Sequence, residues 1–280
     1  MKTKFYFLLG LVLFNLSCKN PFYYTANKAT INKLFSHLKY LPHYQTIKYN
    51  NDKINVVTLG DSLLPLLVIV HGAPGEWYNS FPNFLDSSLL DKFYIVTYDR
   101  PGYGKSSEAP NVASINYQTS VLEKVIAYTK YNNKKITLLA RSYGTPIASL
   151  YAANHNAEVS KLVLVGSTTA PKLERIFWFS YLAKWGLAEV LLPKALRSAT
   201  IEKFNHKAQL KIIEPFYKNI TCNTYVLHGT KDWMADTANL YYNLNNFTNA
   251  HVVGIMLLNA PHNIIGYNPA YVKTILLDSL

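Results

Sequence analysis

Cysteine and charged side chains are both scarce in this chain. The 280 residues include two cysteines, too few for the disulfide framework of a small secreted scaffold. Charged residues make up 16% and hydrophobic residues 49%, a balance that excludes an intrinsically disordered protein. A mean hydropathy of +0.00 excludes a polytopic membrane protein. The composition therefore indicates a globular protein, and the length fits one large domain or two small ones.

Two common ligand-binding patterns are missing as well. No set of His, Cys and Asp residues has the spacing of a zinc site. The segment Gly102-Tyr103-Gly104-Lys105-Ser106 lacks the four-residue gap of a phosphate-binding P-loop. The sequence gives no reason to expect a metal or another cofactor.

Acidic residues are few: 16 Asp and Glu stand against 28 Lys and Arg, so the formal net charge is +12. Such a balance is compatible with nucleic acid or an anionic membrane surface as a partner. The basic residues are scattered rather than clustered, however, which favours an ordinary soluble basic surface. We therefore expect no nucleic-acid partner.

The amino terminus has the pattern of a targeting segment. Lys2 and Lys4 precede an apolar or glycine run from Phe5 to Phe14. This run is half of the roughly 20 residues that a spanning helix needs, and it fits the hydrophobic region of a signal peptide. Ser17-Cys18 follows, and a small residue before a cysteine resembles the lipidation site of a bacterial lipoprotein.

The lipoprotein pattern implies removal of residues 1–17 and a lipid on Cys18. Asn15 stands where Leu is usual, so an ordinary secretory signal or a short anchor is the alternative. We expect an exported protein that is held at a bacterial membrane outside the cytoplasm. Cys222 would then be an unpaired, small buried hydrophobe.

Residues 18–44 are interpreted as a tether that ends in a docking helix. A short amphipathic helix is expected over 29–41, because four apolar residues lie there at helical spacing. They are Ile31, Leu34, Phe35 and Leu38.

Short apolar runs alternate with helical stretches over the rest of the chain. A strand pair is expected at 45–49 and 54–59, across a turn at 50–52. Further strands are expected at 66–70, 93–98, 136–140, 162–165, 224–227 and 252–258, and helices at 115–131, 145–154, 237–245 and 269–280. Continuous apolar runs fit strands that are buried on both faces. The alternation predicts an α/β fold, with a mostly parallel central sheet flanked by helices.

Reactive side chains and glycine-bearing turns follow these strands, and parallel sheets place their sites beyond the carboxyl ends of strands. The segments are 71–75, 99–106, 140–144, 228–232 and 259–262. Ser142 is the most informative residue, since it stands between a buried strand and a helix. A nucleophile in such a tight turn needs small flanking residues, as in the pattern G-x-S-x-G. Here Ala140 replaces the first glycine and Gly144 is kept.

Four motifs in chain order carry a family resemblance from about Gln45 to the carboxyl terminus. Beside the Ser142 turn, they are His71-Gly72-Ala73-Pro74-Gly75, Asp99-Arg100-Pro101-Gly102-Tyr103-Gly104-Lys105-Ser106 and His228-Gly229-Thr230-Lys231-Asp232. The chain resembles the α/β-hydrolase fold superfamily. These motifs resemble its oxyanion loop, its D-x-R-G-x-G-x-S turn and the turn that delivers the acid of a catalytic triad.

The resemblance implies a serine hydrolase with Ser142 as nucleophile, His262 as base and Asp232 as the acid that orients the base. It also implies an oxyanion hole made by the backbone N–H groups of Ala73 and Tyr143. Competing assignments remain for single residues. His251 starts a strand, Asp236 fits a helix cap and Asp99 fits a structural turn, while His71 and His228 are interpreted as packing residues rather than metal ligands.

An insertion at 169–221 separates two parts of the core, at 45–168 and 222–280, and is too long for an ordinary loop. It resembles the helical cap that roofs the site in this family. Trp178 and Trp185 are candidate substrate-binding residues, with packing inside the cap as the alternative. The aromatic residues Phe177, Phe179 and Tyr181 lie nearby, as do the cations Lys172, Arg175 and Lys184.

We expect esters or amides with small to medium hydrophobic acyl groups as substrates, split in the manner of a carboxylesterase or a peptidase. Acyl transfer and C–C bond hydrolysis use the same triad and stay open. A non-catalytic binding protein on the same fold is the alternative of a different class, since a fold does not fix a function.

Overall fold

A computed structural model describes residues 28–79, 84–109, 111–130, 135–184 and 192–278. Across these ranges an eight-stranded sheet runs in the order β1-β2-β4-β3-β5-β6-β7-β8. Its strands are β1 (His43–Tyr49), β2 (Asp52–Leu59), β3 (Leu66–Val70), β4 (Tyr94–Tyr98), β5 (Ile136–Arg141), β6 (Val159–Val165), β7 (Asn223–Gly229) and β8 (Val252–Leu257). β1 pairs with β2 and β2 with β4 in antiparallel fashion, and the other pairs are parallel. The predicted α/β class with a mostly parallel sheet is confirmed.

Helices cover both faces of the sheet. They are α1 (Lys28–Phe35), α2 (Ser87–Leu90), α3 (Ile115–Thr129), α4 (Gly144–Asn154), α5 (Lys194–Ile213), α6 (Ala238–Asn246), α7 (Ile264–Tyr267) and α8 (Pro269–Leu277). Side chains alternate between the faces along each strand. In β3, Val68 and Val70 therefore pack with α3 and α4, while Leu67 and Ile69 pack with α1 and the carboxyl-terminal helices.

The amino-terminal docking helix packs on the sheet as its pattern indicates, but it is shorter than the predicted 29–41. Ile31 and Phe35 are buried in the second core face, and Leu34 and Leu38 pack against it. The helix ends at Phe35, where the Ser36 hydroxyl donates to the Lys33 carbonyl oxygen at 2.8 Å and the chain turns. Residues 1–27, with the predicted signal segment and Cys18, lie outside the described residues.

The expectation that every strand is buried on both faces is wrong for β8. This strand is the last in the sheet order, and its residues alternate between half-buried and exposed. Its sequence is apolar enough for a central position. As the last strand of the sheet, it nevertheless has one side at the surface. A local hydrophobic pattern does not specify the place of a strand in the sheet.

In its described residues, the insertion at 169–221 contains one long helix, α5, and three 3₁₀ segments at Pro171–Leu173, Trp178–Lys184 and Glu214–Asn219. The aromatic stretch with Trp178 and Tyr181 thus forms a 3₁₀ segment, while the long helix comes from the lysine-rich stretch after it. Residues 185–191, including Trp185, lie outside the described part of the chain. Among the helices described, none has both the length and the apolar character needed to cross a bilayer.

Two histidines are buried near the carboxyl ends of β3 and β7. His71 Nδ1 donates to the Gly72 carbonyl oxygen at 2.7 Å, and its Nε2 accepts from the Arg100 N–H at 2.9 Å, which fixes a neutral tautomer. Burial and the Arg100 charge hold the pKa of His71 well below its ordinary value. His228 is fully buried, and burial lowers its pKa to about 4.

Because of these two buried histidines, we expect the folded protein to lose stability in mild acid. Each has a lower pKa in the folded chain than in the unfolded chain, so below about pH 6.5 the unfolded chain binds more protons. Their contribution is complete above that pH and is lost as the pH falls toward the folded pKa of His228, about 4. We expect the free energy of unfolding to fall by about 1.4 kcal/mol per pH unit for each histidine.

Urea unfolding between about pH 7 and 5 measures this slope. His228→Asn should remove one histidine's share of this slope, and the same substitution at His251, which is exposed, is the surface control. An unchanged slope in His228→Asn would contradict the assignment.

Candidate active site

Ser142 lies in a sharp turn between β5 and α4. Its φ of 51° is in the left-handed region, which a non-glycine residue adopts only when its surroundings hold it there. The Ser142 N–H donates to the Val165 carbonyl oxygen at 2.9 Å, and the Thr145 N–H donates to the Ser142 carbonyl oxygen at 2.8 Å. This is the geometry of a strand-to-helix turn that presents a nucleophile beyond the sheet edge.

Glycines let the loop after β3 lie against this turn. A Cβ placed on Gly72 would lie 2.9 Å from the Ser142 Cβ, and one on Gly144 would lie 2.5 Å from the Val70 carbonyl oxygen. Both distances are shorter than any contact that a Cβ atom tolerates, so these positions require glycine. Ala140, which replaces the first glycine of the pattern, is fully buried in the sheet.

His262 and Asp232 meet at the carboxyl end of β7. His262 Nδ1 donates to Asp232 Oδ2 at 2.7 Å, and the side chains are 6% and 0% exposed. Asp232 Oδ1 accepts from the N–H groups of Met234 and Ala235 at 3.0 and 2.9 Å. Burial raises the pKa of Asp232, but the His262 hydrogen bond and these N–H groups outweigh it, so the pKa lies below its ordinary value. The carboxylate stays ionised and leaves Nε2 as the basic nitrogen of the ring.

Gly166 brings the imidazole close to the strand end that supports Ser142. Its φ is +59°, and a Cβ on it would lie 2.9 Å from both Nδ1 and Cε1 of His262. The preceding residue, Val165, accepts the Ser142 N–H, and Gly166 itself donates to the Leu227 carbonyl oxygen at 2.8 Å. The three residues that the sequence singled out, Ser142, Asp232 and His262, thus lie together at the carboxyl ends of the central strands.

The two predicted oxyanion donors belong to segments that adjoin Ser142. Tyr143 follows it directly, and its ring is buried. Ala73 follows Gly72 in the loop that abuts Ser142 and is half-buried against the core. Arg100 contacts both segments, since it donates to the Gly72 carbonyl oxygen and its guanidinium group lies over the Tyr143 ring.

Sequence reasoning missed Arg100 and its partner Glu202. Arg100 Nη1 donates to Glu202 Oε1 at 2.6 Å, and both side chains are fully buried. The sequence of α5 does contain a pattern that could have identified Glu202. The buried residues of this helix follow one another at intervals of three or four. They are Ala195, Ser198, Glu202, His206, Leu210 and Ile213. Two ionisable side chains on the buried face of a helix indicate buried partners elsewhere in the chain.

The alternative candidates Asp99, Asp236 and His251 lie outside this group. The buried Asp99 side chain accepts from the N–H groups of Trp77 and Lys105 at 2.9 Å, which fits a structural turn. Asp236 Oδ1 accepts from the Ala238 N–H at 3.0 Å, where α6 begins. His251 is exposed before β8, at the opposite end of the strand from the site.

The cap contributes an exposed aromatic rim and a polar cavity. Trp178 is 73% exposed, so its side chain is not part of the cap core. Phe177 lies edge-on to Trp233 with 5.8 Å between ring centroids. A cavity of about 200 Å³ lies next to Asp232, and its lining residues include Glu174, Arg175, Lys203 and Trp233. Of the cations in this stretch, Lys172 and Lys184 are exposed and Arg175 pairs with Asp236.

Comparison with known proteins places this geometry in a family. A proline iminopeptidase of Lactobacillus crispatus (strain ST1) is 26% identical over 171 residues, which are 60% of this chain and 55% of that enzyme. The chain thus spans about half the length of that relative.

Solved structures share the fold at low identity. A 2-hydroxy-6-oxo-6-phenylhexa-2,4-dienoate hydrolase from Rhodococcus sp. strain RHA1 has a TM-score of 0.68 at 16% identity, over 86% of this chain and 99% of that one. A membrane phospholipase A described as a bacterial virulence factor has a TM-score of 0.61 at 18% identity, over 99% and 97%. Residues 65–208, about half of the chain, match the model of the α/β hydrolase fold family. With this match and the eight-stranded sheet, the chain belongs to the α/β hydrolase fold family.

Proposed function

We propose that the chain is a serine hydrolase in which Ser142, His262 and Asp232 form the catalytic triad. The observation that carries the proposal is the 2.7 Å hydrogen bond between His262 and buried Asp232, at the sheet edge where Ser142 holds a left-handed turn. An acid, an imidazole and a strained serine at the carboxyl ends of neighbouring strands have the geometry that nucleophilic acyl transfer needs.

The chemistry follows from the protonation state of each group. The Ser142 hydroxyl attacks the substrate carbonyl carbon while its proton moves to His262 Nε2. Asp232 stabilises the imidazolium that forms. When the tetrahedral intermediate collapses, the leaving alcohol or amine takes this proton, and an acyl group stays on Ser142. Water then attacks the acyl-enzyme with His262 again as base, which releases the acid and restores the serine.

The negative oxygen of the intermediate would bind the N–H groups of Ala73 and Tyr143. Preorganised backbone donors stabilise this charge because they do not have to reorient during the reaction. The close contact of Gly72 with Ser142 brings the Ala73 segment next to the nucleophile.

Hydrophobic acyl esters or amides are the substrate class that this site supports. The triad and the oxyanion hole contact only the scissile carbonyl group. The residues above them must therefore select the substrate. The rim of Phe177, Trp178 and Trp233 offers aromatic surface for an acyl chain. The relatives' names, an iminopeptidase and a phospholipase among them, cover amide and ester cleavage.

We further propose that Cys18 carries a lipid that holds the exported protein at a membrane. The observation behind this proposal is the apolar run before Ser17-Cys18. The tether would enter the fold through α1, where Phe35 stacks on Trp77 with 5.8 Å between ring centroids.

The first test is covalent labelling by a fluorophosphonate probe. Wild-type protein should label, and Ser142→Ala should lose both labelling and hydrolysis of a short-chain ester, because it removes the attacking oxygen. Ser149→Ala is a matched control in α4, the helix that follows the Ser142 turn, since its buried hydroxyl has no hydrogen-bond partner among the described residues. Labelling that persists in Ser142→Ala would overturn the assignment, and a wild type without labelling would favour a binding protein.

The second test addresses the cap. Trp178→Ala should flatten the dependence of kcat/KM on acyl-chain length by several-fold, since each buried CH2 contributes about 0.8 kcal/mol. Labelling of Ser142 should stay near the wild-type rate, because the substitution leaves the triad alone. Tyr128→Ala, an exposed aromatic residue on α3, serves as control.

The basic residues at the rim, Lys172, Arg175 and Lys184, lead to a separate prediction for anionic substrates. The KM for such a substrate should rise with salt concentration, because salt screens charges over about 10 Å at 0.1 M. If cap substitutions change neither chain-length preference nor salt dependence, the cap is a passive cover.

The third test addresses the tether. Cys18→Ser should release the protein from membranes during an alkaline wash, whereas the wild type should stay bound. A single acyl chain binds only weakly, so stable attachment requires a multiply acylated cysteine. Retention of Cys18→Ser in the membrane fraction would contradict lipidation and favour an uncleaved apolar anchor.

A further inference from the structure

We propose that Arg100 is a positioning residue for both donors of the oxyanion hole, and that helix α5 of the cap holds it in place through Glu202. The inference rests on the proposed function and adds a residue that neither motif spacing nor the triad identifies. Its basis is a set of contacts that converge on one buried guanidinium group.

Arg100 fixes the peptide group that contains the first donor. Its Nε donates to the His71 carbonyl oxygen and its Nη2 to the Gly72 carbonyl oxygen, each at 3.0 Å. The Gly72 carbonyl and the Ala73 N–H belong to the same planar peptide unit. Holding the oxygen therefore also fixes the direction of the N–H, which lies in the same plane and points the opposite way. His71 Nδ1, at 2.7 Å from the same oxygen, reinforces this orientation.

Arg100 also contacts the residue that carries the second donor. Its guanidinium carbon lies 5.0 Å from the centre of the Tyr143 ring, within the range of a cation–π contact. The ring of His206 lies near Tyr143 with 4.5 Å between centroids, at an angle of 32°. Tyr143, which follows Ser142, thus contacts both the arginine of the core and a histidine of the cap helix.

Helix α5 supplies the counterion of this arginine. Glu202 accepts from Arg100 Nη1 and Nη2 at 2.6 and 3.3 Å, from the Tyr103 hydroxyl at 2.5 Å and from Gln118 Nε2 at 3.0 Å. Since both charges are fully buried, removal of one leaves an uncompensated ion. The long cap helix therefore cannot leave the core without loosening the group that orients the oxyanion donors.

A second polar contact holds His206 one turn further along α5. Glu174, before the aromatic run of the cap, lies 3.1 Å from His206 Nδ1 and 2.9 Å from Lys203 Nζ. Burial raises the pKa of Glu174, but these two partners outweigh it and bring the pKa to about 2. Glu174 is thus ionised at neutral pH and keeps the His206 ring beside Tyr143.

The test measures kcat and KM for a short-chain ester in Glu202→Gln and Arg100→Lys. We expect kcat to fall by tenfold or more, up to the roughly 100- to 1,000-fold loss that accompanies removal of one oxyanion donor. KM should change little, because ground-state binding does not use the oxyanion hole. Affinity for a trifluoromethyl ketone, which forms an oxyanion on Ser142, should fall in parallel with kcat.

Glu108→Gln is the matched control. It breaks the exposed ion pair of Glu108 with Arg197, which also joins α5 to the core, and it should retain the wild-type kcat. If a single variant fails to fold, the double variant Arg100→Gln with Glu202→Gln removes both buried charges and still lacks the positioning group. A folded double variant with wild-type kcat would overturn the inference, as would a loss confined to KM.

Failure of the proposed function gives a different result. In that case the wild type itself neither labels with fluorophosphonate nor hydrolyses esters. An active wild type whose Glu202→Gln and Arg100→Lys variants fold and keep full kcat refutes the role of Arg100 alone.

Discussion

The buried ion pair between Arg100 and Glu202 is the contact on which the architecture around Ser142 depends. Burying two charges is costly, and the pair is stable only because other polar groups satisfy both side chains. Arg100 donates to two carbonyl oxygens of the loop after β3, and Glu202 accepts from Tyr103 and Gln118 as well. Four segments that are separate in sequence therefore share one network, in which the cap helix and the loop stabilise each other.

Close backbone contacts complete this arrangement. Ser142 is kept in a left-handed conformation by hydrogen bonds on both sides, and such strain persists only where the surroundings determine it. Gly72 and Gly166 allow the loop after β3 and the imidazole of His262 to approach within distances that no Cβ permits. A rigid sheet edge with small residues thus places an acid, an imidazole and a hydroxyl close together, which is what acyl transfer needs.

The cap shows where local pattern and tertiary structure separate. The aromatic stretch of the insertion forms a 3₁₀ segment at Trp178–Lys184, and its Trp178 and Tyr181 side chains are exposed. The lysine-rich stretch after it forms the long helix, because its buried face meets Arg100 and Tyr143 rather than a purely apolar core. Hydrophobic periodicity detects apolar faces, so it does not detect a helix that is held by buried charges.

The sequence by itself determined the class of fold and the order of its parts. Continuous apolar runs such as Leu66–Val70 have the length and composition of central strands, and the residues after them fall at one sheet edge because parallel strands end there together. Only the tertiary structure decided that β8 is an outermost strand of the sheet. It also decided that Glu202, 102 positions away in sequence, is the counterion of Arg100. Local patterns encode which face of an element is apolar. Which distant element covers that face is decided by packing and charge compensation across the whole chain.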